Sequence, residues 1–227
     1  MEAIVLVGGL GTRLRTAVSD VPKPMAPVQG RPFVAFVLDR LAEAGFAHVV
    51  LAAGYQHEAL RAHFGEQYRG MPVTYSVESE PLGTGGAIHL ALGCVGSPDA
   101  FVLNGDTYLE VDLRAMLAAH EAAAAVLTIA VCRIQDAARY GALEFDGGLV
   151  RRFTEKGSAG PGWINGGTYI VGTGLRASFP AARAFSFEDF LAREVSTLRP
   201  LAFRASGRFI DIGTPDDYAH AQALLRL

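Results

Sequence analysis

The sequence predicts an α/β domain with a mainly parallel, twisted sheet flanked by helices. Short, continuous apolar runs recur at residues 3–7, 48–53 and 100–103, as expected of strands buried on both faces. Segments with helical spacing separate them, in strand–helix units of about 25 residues. Glycine or acidic clusters end the runs: Gly8-Gly9 after the first and Asn104-Gly105-Asp106 after a later one. In open α/β sheets, ligands gather beyond such carboxyl ends.

The elements follow in order. Residues 10–28 hold Pro22, Pro24 and Pro27 and no clean period, which predicts a long functional loop. A helix is expected from Pro32 to about Ala44, stopped by Gly45. A strand over 48–53, a helix over 56–64, a strand over 72–77 and a helix over 84–92, closed by Gly93, come next. After residue 110 the texture changes. A helix at 113–123 and a strand at 125–132 precede two short strands, around 141–145 and 149–155, joined by a Gly147-Gly148 hairpin turn. A strand over 163–171 is interrupted by Gly166-Gly167. Ser186-Phe187-Glu188-Asp189 reads as a capping box opening a helix to about Leu198. Short strands at 201–205 and 208–212 lead to Thr214-Pro215-Asp216-Asp217, an N-cap for the last helix. No repeat or low-complexity linker appears. The simplest organisation is one domain over 1–227, with two halves, 1–110 and 111–227, the latter as a smaller β subregion.

Composition narrows the function. Of 227 residues, 50% are hydrophobic and 19% charged, so a sizeable core forms and disorder is excluded. The net charge of −3 argues against a nucleic-acid surface. The longest apolar run, residues 122–132, falls well short of the roughly 18 residues a membrane span needs. Cys94 and Cys132 form no C-x-x-C pair and read as thiols in a reducing compartment. A cytoplasmic protein without membrane or nucleic-acid partners is expected. The six histidines show no metal-ligand spacing, and no Gly-x-Ser-x-Gly elbow is present.

Five clusters carry candidate chemistry. Gly8-Gly9-Leu10-Gly11-Thr12-Arg13, followed by Lys23, suits phosphate: glycines bring N–H groups close, Arg13 offers a fixed fork and Lys23 a mobile charge. It is neither a dinucleotide fingerprint nor a Walker A loop. In isolation it also fits a tight turn with solvated cations. Glu78-Ser79-Glu80-Pro81-Leu82-Gly83-Thr84-Gly85-Gly86 opens a helix; its glycines let a flat ligand approach, and Glu80 or Glu78 can accept from a base edge. An exposed acidic turn is the alternative. Asp106, in Asn104-Gly105-Asp106, and Asp211, in Asp211-Ile212-Gly213, follow strands and suit a hard divalent cation. Singly, either fits a helix cap. Finally, Tyr140-Gly141, Glu155-Lys156 and Asn165-Gly166 interrupt strands of the second half. Tyr140, Glu155 and Asn165 suit sugar hydroxyls and Lys156 a phosphate, although Glu155-Lys156 also fits an exposed ion pair.

In this order the motifs resemble those of the sugar-1-phosphate nucleotidyltransferases. The likeness runs from Gly8-Gly9-Leu10-Gly11-Thr12-Arg13-Leu14 and Pro22-Lys23-Pro24-Met25-Ala26-Pro27-Val28 through Glu80–Ala87 to Asp211-Ile212-Gly213. The segment after Leu14 departs from the Pro-Leu-Thr of many members. With Arg139-Tyr140-Gly141 and Ser186-Phe187-Glu188 it is most similar to the D-glycero-α-D-manno-heptose 1-phosphate guanylyltransferases. The resemblance implies a single Rossmann-like domain, Mg2+, GTP and a sugar 1-phosphate as partners, GDP-heptose as product for lipopolysaccharide or capsule synthesis, and a monomer or small homo-oligomer. It assigns Arg13, Lys23 and Lys156 to catalysis and Asp106 and Asp211 to the metal. It places Gly8, Gly9, Gly11, Thr12, Glu80, Gly83, Thr84, Asn104 and Gly105 around the nucleotide. Tyr140, Gly141, Glu155, Asn165 and Gly166 fall around the sugar. Uridylyl or mannosyl specificity, and a non-catalytic nucleotide-sugar-binding homologue, are the alternatives.

Overall fold

The computed structural model describes residues 1–9, 21–54, 57–154, 157, 160–180 and 184–225. In chain order the first half contains β1 (Glu2–Leu6), β2 (Pro27–Val28), β3 (Arg31–Pro32), α1 (Phe33–Glu43), β4 (His48–Ala53), α2 (His57–Phe64), β5 (Gln67–Tyr68), β6 (Met71–Val77), α3 (Gly83–Ala91) and β7 (Asp99–Asn104). There follow β8 (Thr107–Leu109), α4 (Leu113–Ala122), β9 (Leu127–Ile134), β10 (Leu143–Asp146), β11 (Leu149–Phe153) and β12 (Gly162–Gly172). The chain closes with α5 (Phe187–Leu198), β13 (Leu201–Ala205), β14 (Phe209–Asp211) and α6 (Pro215–Leu224).

One ten-stranded sheet runs through both halves in the order β10-β11-β13-β9-β12-β7-β1-β4-β6-β5. Its frame is parallel, β7-β1-β4-β6 on one side and β9-β13 on the other. Strand β12 joins these two blocks, antiparallel to both β7 and β9. The expected α/β class, with a large mostly parallel sheet between helices, describes this architecture.

The apolar runs are continuous because both faces of the sheet are covered. Ala3, Val5 and Val7 point into one core with α1, Leu60 of α2, Met116 of α4 and Ala221 of α6. Ile4 points the other way, into a second core with Ile88 of α3 and Phe187, Phe190 and Leu191 of α5. The same alternation divides Val49, Leu51 and Ala53 from Val50 and Ala52.

The turn chemistry is equally local. Ser186 Oγ accepts from the Asp189 amide at 3.1 Å, capping α5. Thr214 caps α6 in the same way. Gly147 and Gly148 both take positive φ between β10 and β11, as a two-residue hairpin turn demands. At Gly166-Gly167 the pairing of β12 with β9 shifts register between Asn165 and Tyr169. This bulge turns Asn165 and Gly167 towards the carboxyl end of β7.

Candidate active site

The parallel strands deliver their carboxyl ends to one edge. There Gly8 follows β1, Gly54 follows β4, Glu78 follows β6 and Asn104 ends β7. A Cβ on Gly8 would lie 3.1 Å from the Gly54 nitrogen, so two strand ends converge where a side chain would press on the neighbouring backbone. Gly105 is tighter still. A Cβ there would meet the Leu6 carbonyl oxygen at 2.7 Å, and its amide donates to that oxygen at 2.9 Å. Its place is to lock the turn carrying Asp106 against β1.

Two carboxylates distant in sequence meet beside this turn. Strand β8, immediately after Asp106, pairs antiparallel with β14, placing Thr107 opposite Asp211. The Ile212 amide donates to the Asp106 carbonyl at 3.2 Å, closing the junction. Lys23 stands on a short 3₁₀ turn, Lys23–Met25, with buried Pro24 beneath it. Its ammonium lies 2.6 Å from Asp106 Oδ2 and 3.5 Å from Asp211 Oδ1. Burial, together with the charge of Asp106, pushes the Asp211 carboxyl above its usual range, and Lys23 opposes the shift.

Two cavities share this cluster. One, of about 380 Å3, is walled by Gly8, Gly9, Glu78, Pro81, Gly83 and Thr84. The other, of about 690 Å3, is walled by Tyr140, Gly141, Thr154, Asn165, Gly167 and the start of α5. Lys23, Asn104 and Asp106 line both, so they mark the passage between the two.

Other candidates are placed differently. Glu80 is exposed on its turn and lines neither cavity, whereas Glu78 lines the smaller one. The Leu82 amide donates to Glu78 Oε2 at 3.0 Å, and burial raises the pKa of this carboxyl. Gly166 lies behind the wall, where a Cβ would strike Leu109 at 2.5 Å. The space beside Gly85 is filled by the Phe185 ring rather than open to a flat ligand, since a Cβ there would lie 2.1 Å from that ring. The Thr84 hydroxyl donates to Glu188 at 2.9 Å and accepts from the Phe187 amide at 2.8 Å, joining α3 to α5. Asn165 is fixed by Tyr169, to whose hydroxyl it donates at 2.6 Å, and by the Gly167 amide. Tyr140 reaches Asp211, and burial pushes its phenol up to about 12. Arg13, Gly11, Thr12, Glu155 and Lys156 lie outside the described residues.

Thr107 and Thr154 line the larger cavity and were not singled out from the sequence, and Asp189, read only as part of the helix cap, lines it too. Their signal is tertiary: each is an ordinary polar residue until the fold brings it to the cavity.

A family model, Nucleotidyl transferase, matches residues 2–226. The chain belongs to the nucleotidyl transferase family. A D-glycero-alpha-D-manno-heptose 1-phosphate guanylyltransferase of Aneurinibacillus thermoaerophilus is 43% identical to this nucleotidyltransferase, covering 100% of this chain and 99% of that one. The enzyme of the same name from Campylobacter jejuni is 41% identical over 97% and 98%. The crystal structure of HddC from Yersinia pseudotuberculosis superposes with a TM-score of 0.89 at 35% identity, covering 99% of both chains. HddC complexed with GMP-PN gives 0.88. A mannose-1-phosphate guanylyltransferase of Mycobacterium tuberculosis is 34% identical, but this nucleotidyltransferase spans only 64% of its length.

The residues present fit a divalent cation. Among the described residues no group of three or more His, Cys, Asp or Glu gathers. Asp106 and Asp211 provide two carboxylates, and Mg2+ commonly takes one or two carboxylates and completes its shell with substrate phosphates and water.

Proposed function

We propose that this enzyme transfers GMP from GTP to D-glycero-α-D-manno-heptose 1-phosphate, with Mg2+, giving GDP-heptose and pyrophosphate. The carrying observation is the pair of cavities that meet at Lys23, Asn104 and Asp106. Residues 1–110 then form mainly the nucleotide half and 111–227 mainly the sugar-phosphate half. Two full-length relatives named heptose 1-phosphate guanylyltransferases support the choice of substrates.

The chemistry asks for positioning and positive charge. A sugar-phosphate oxygen attacks the α-phosphorus in line, and pyrophosphate leaves. The phosphate is mostly dianionic at neutral pH, with a second pKa of about 6, so no general base is required. Lys23 stands at the passage between the cavities, where the two phosphates meet. Its ammonium is oriented by Asp106 and Asp211 before substrate arrives. Arg13 and Lys156 supply further charge in this reading. A bound Mg2+ supplies charge neutralisation at the phosphates, held by Asp106 and Asp211. Gly8 and Gly9 allow the triphosphate to approach the backbone after β1.

Glu78, rather than Glu80, reads the base. It lines the nucleotide cavity, and the Leu82 amide engages Oε2, which leaves Oε1 for a guanine N–H. Gly141 and Asn165 face the sugar. A 31P NMR time course with GTP and the heptose 1-phosphate tests the reaction. Paired diphosphate resonances of a GDP-sugar, with equimolar pyrophosphate, are expected. Release of inorganic phosphate alone would exclude it.

A further inference from the structure

Helix α6 is an odd member of the fold. Ala221 is the one buried residue within it, and Tyr218, Leu224 and the following Leu225 pack on the same core. Polar bonds add to this packing, and they run to both sides of the site. In its first turn, Asp217 takes a two-pronged bond from Arg139, at 3.0 and 2.5 Å. The Thr214 hydroxyl donates to the same carboxylate at 2.6 Å, fixing its rotamer. Arg139 lies over the Tyr140 ring, 5.4 Å from its centroid, and that ring packs edge-on against Phe209 of β14. Tyr140 and Gly141 are walls of the larger cavity.

Tyr218, next along the helix, and Gln222, one turn further on, face the other way. Gln222 Nε2 donates to the Pro27 carbonyl at 2.8 Å, and the Tyr218 hydroxyl donates to that same oxygen. The Gln29 amide donates to Gln222 Oε1 at 3.0 Å. Pro27 opens β2 directly after the turn that begins at Lys23, whose carbonyl accepts from the Ala26 amide.

We propose that α6 is a positioning strap. Asp217, acting through Arg139, holds the Tyr140–Gly141 wall, while Tyr218 and Gln222, acting through Pro27, hold the turn that carries Lys23. Arg139 itself lines the larger cavity, but with an N–H of each terminal nitrogen committed to Asp217 it acts here as a positioning residue. The strap rests on the proposed reaction only in which substrate each wall meets. A lost tether displaces a wall slightly, and small displacements weaken binding without removing a reacting group.

The test compares wild type, R139A, D217A, the double variant and D217E. Steady-state kinetics is paired with amide hydrogen exchange of the substrate-free proteins. D217A and R139A are each expected to raise KM for the sugar 1-phosphate about tenfold, with KM for GTP within about twofold. The double variant should be no worse than either single one, and D217E should recover most of the loss. KM does not depend on the fraction of enzyme folded, so partial misfolding cannot mimic this split. Exchange at residues 137–141 should accelerate in D217A, where the Tyr140 and Gly141 amides donate to the Ala137 carbonyl. If D217A keeps the wild-type KM while R139A loses binding, Arg139 meets substrate directly and the strap is wrong. Faster exchange with unchanged KM also overturns it. A wild type that turns over no sugar 1-phosphate removes the proposed reaction. The exchange data then decide: acceleration in D217A sustains the strap and its absence ends it.

Discussion

Asp211 illustrates how a single residue trades stability for chemistry. Its folded pKa is raised, chiefly by burial and then by Asp106 against the opposing Lys23. The stabilising protonated form is therefore fully present below the unfolded value near 3.8 and is lost as pH rises through the folded value. At neutral pH the ionised carboxylate destabilises the metal-free fold. D211N should raise the metal-free Tm by about 2–4 °C, equivalent to about 1 kcal/mol, while lowering kcat by about 10²–10³-fold. A scanning-calorimetry trace at pH 7 checks the first effect; a Tm that falls would place the stabilising contribution in the Lys23 contact instead.

Base reading also belongs at the scale of one residue. E78Q should reduce kcat/KM for GTP about 10²-fold, whereas E80Q should stay within about twofold. Kinetics of the two variants with GTP and UTP separate them, and equal losses would return Glu80 to the base. The sequence offered both acids in one motif, and the resemblance put Glu80 first, with Glu78 as the other candidate. The choice depends on which side chain faces inward from the end of β6, and alternation along an irregular turn does not reveal that. Lys23, Asp106 and Asp211 were more legible, because each follows a strand end or sits in a proline-framed turn.

At the scale of elements, legibility follows length. Helices α1, α4 and α5 were read within a residue or two of their ends, since several apolar positions and a stop or cap define each one. Strands β2, β3, β5 and β8 span two or three residues and carry no period. Yet β8 with β14 brings Asp106 to Asp211. Contacts between elements were equally hidden. Gly85 read as room for a ligand, but it is room for Phe185, whose ring also packs on Phe179 at 5.4 Å. G85A should therefore destabilise the protein by about 1–3 kcal/mol, measured by urea unfolding. An unchanged midpoint would mean that α3 and α5 separate freely.

For the whole molecule, the alternation of strands and helices specified the α/β class, but it could not order the sheet. Strand β12 lies between β9 and β7, so the second half of the chain is stitched into the parallel frame of the first. That insertion lets the two cavities share Lys23, Asn104 and Asp106. No described helix is long and apolar enough to cross a membrane. The decisive measurement is pyrophosphate release with Mg2+. It crosses GTP, UTP, ATP, CTP and dTTP against D-glycero-α-D-manno-heptose 1-phosphate, mannose 1-phosphate and N-acetylmuramic acid 1-phosphate. Turnover with GTP and the heptose, at least about 10²-fold above every other pair, is expected for a site that hydrogen-bonds its base. Faster turnover with UTP or with another sugar 1-phosphate, or none with any pair, would contradict the account.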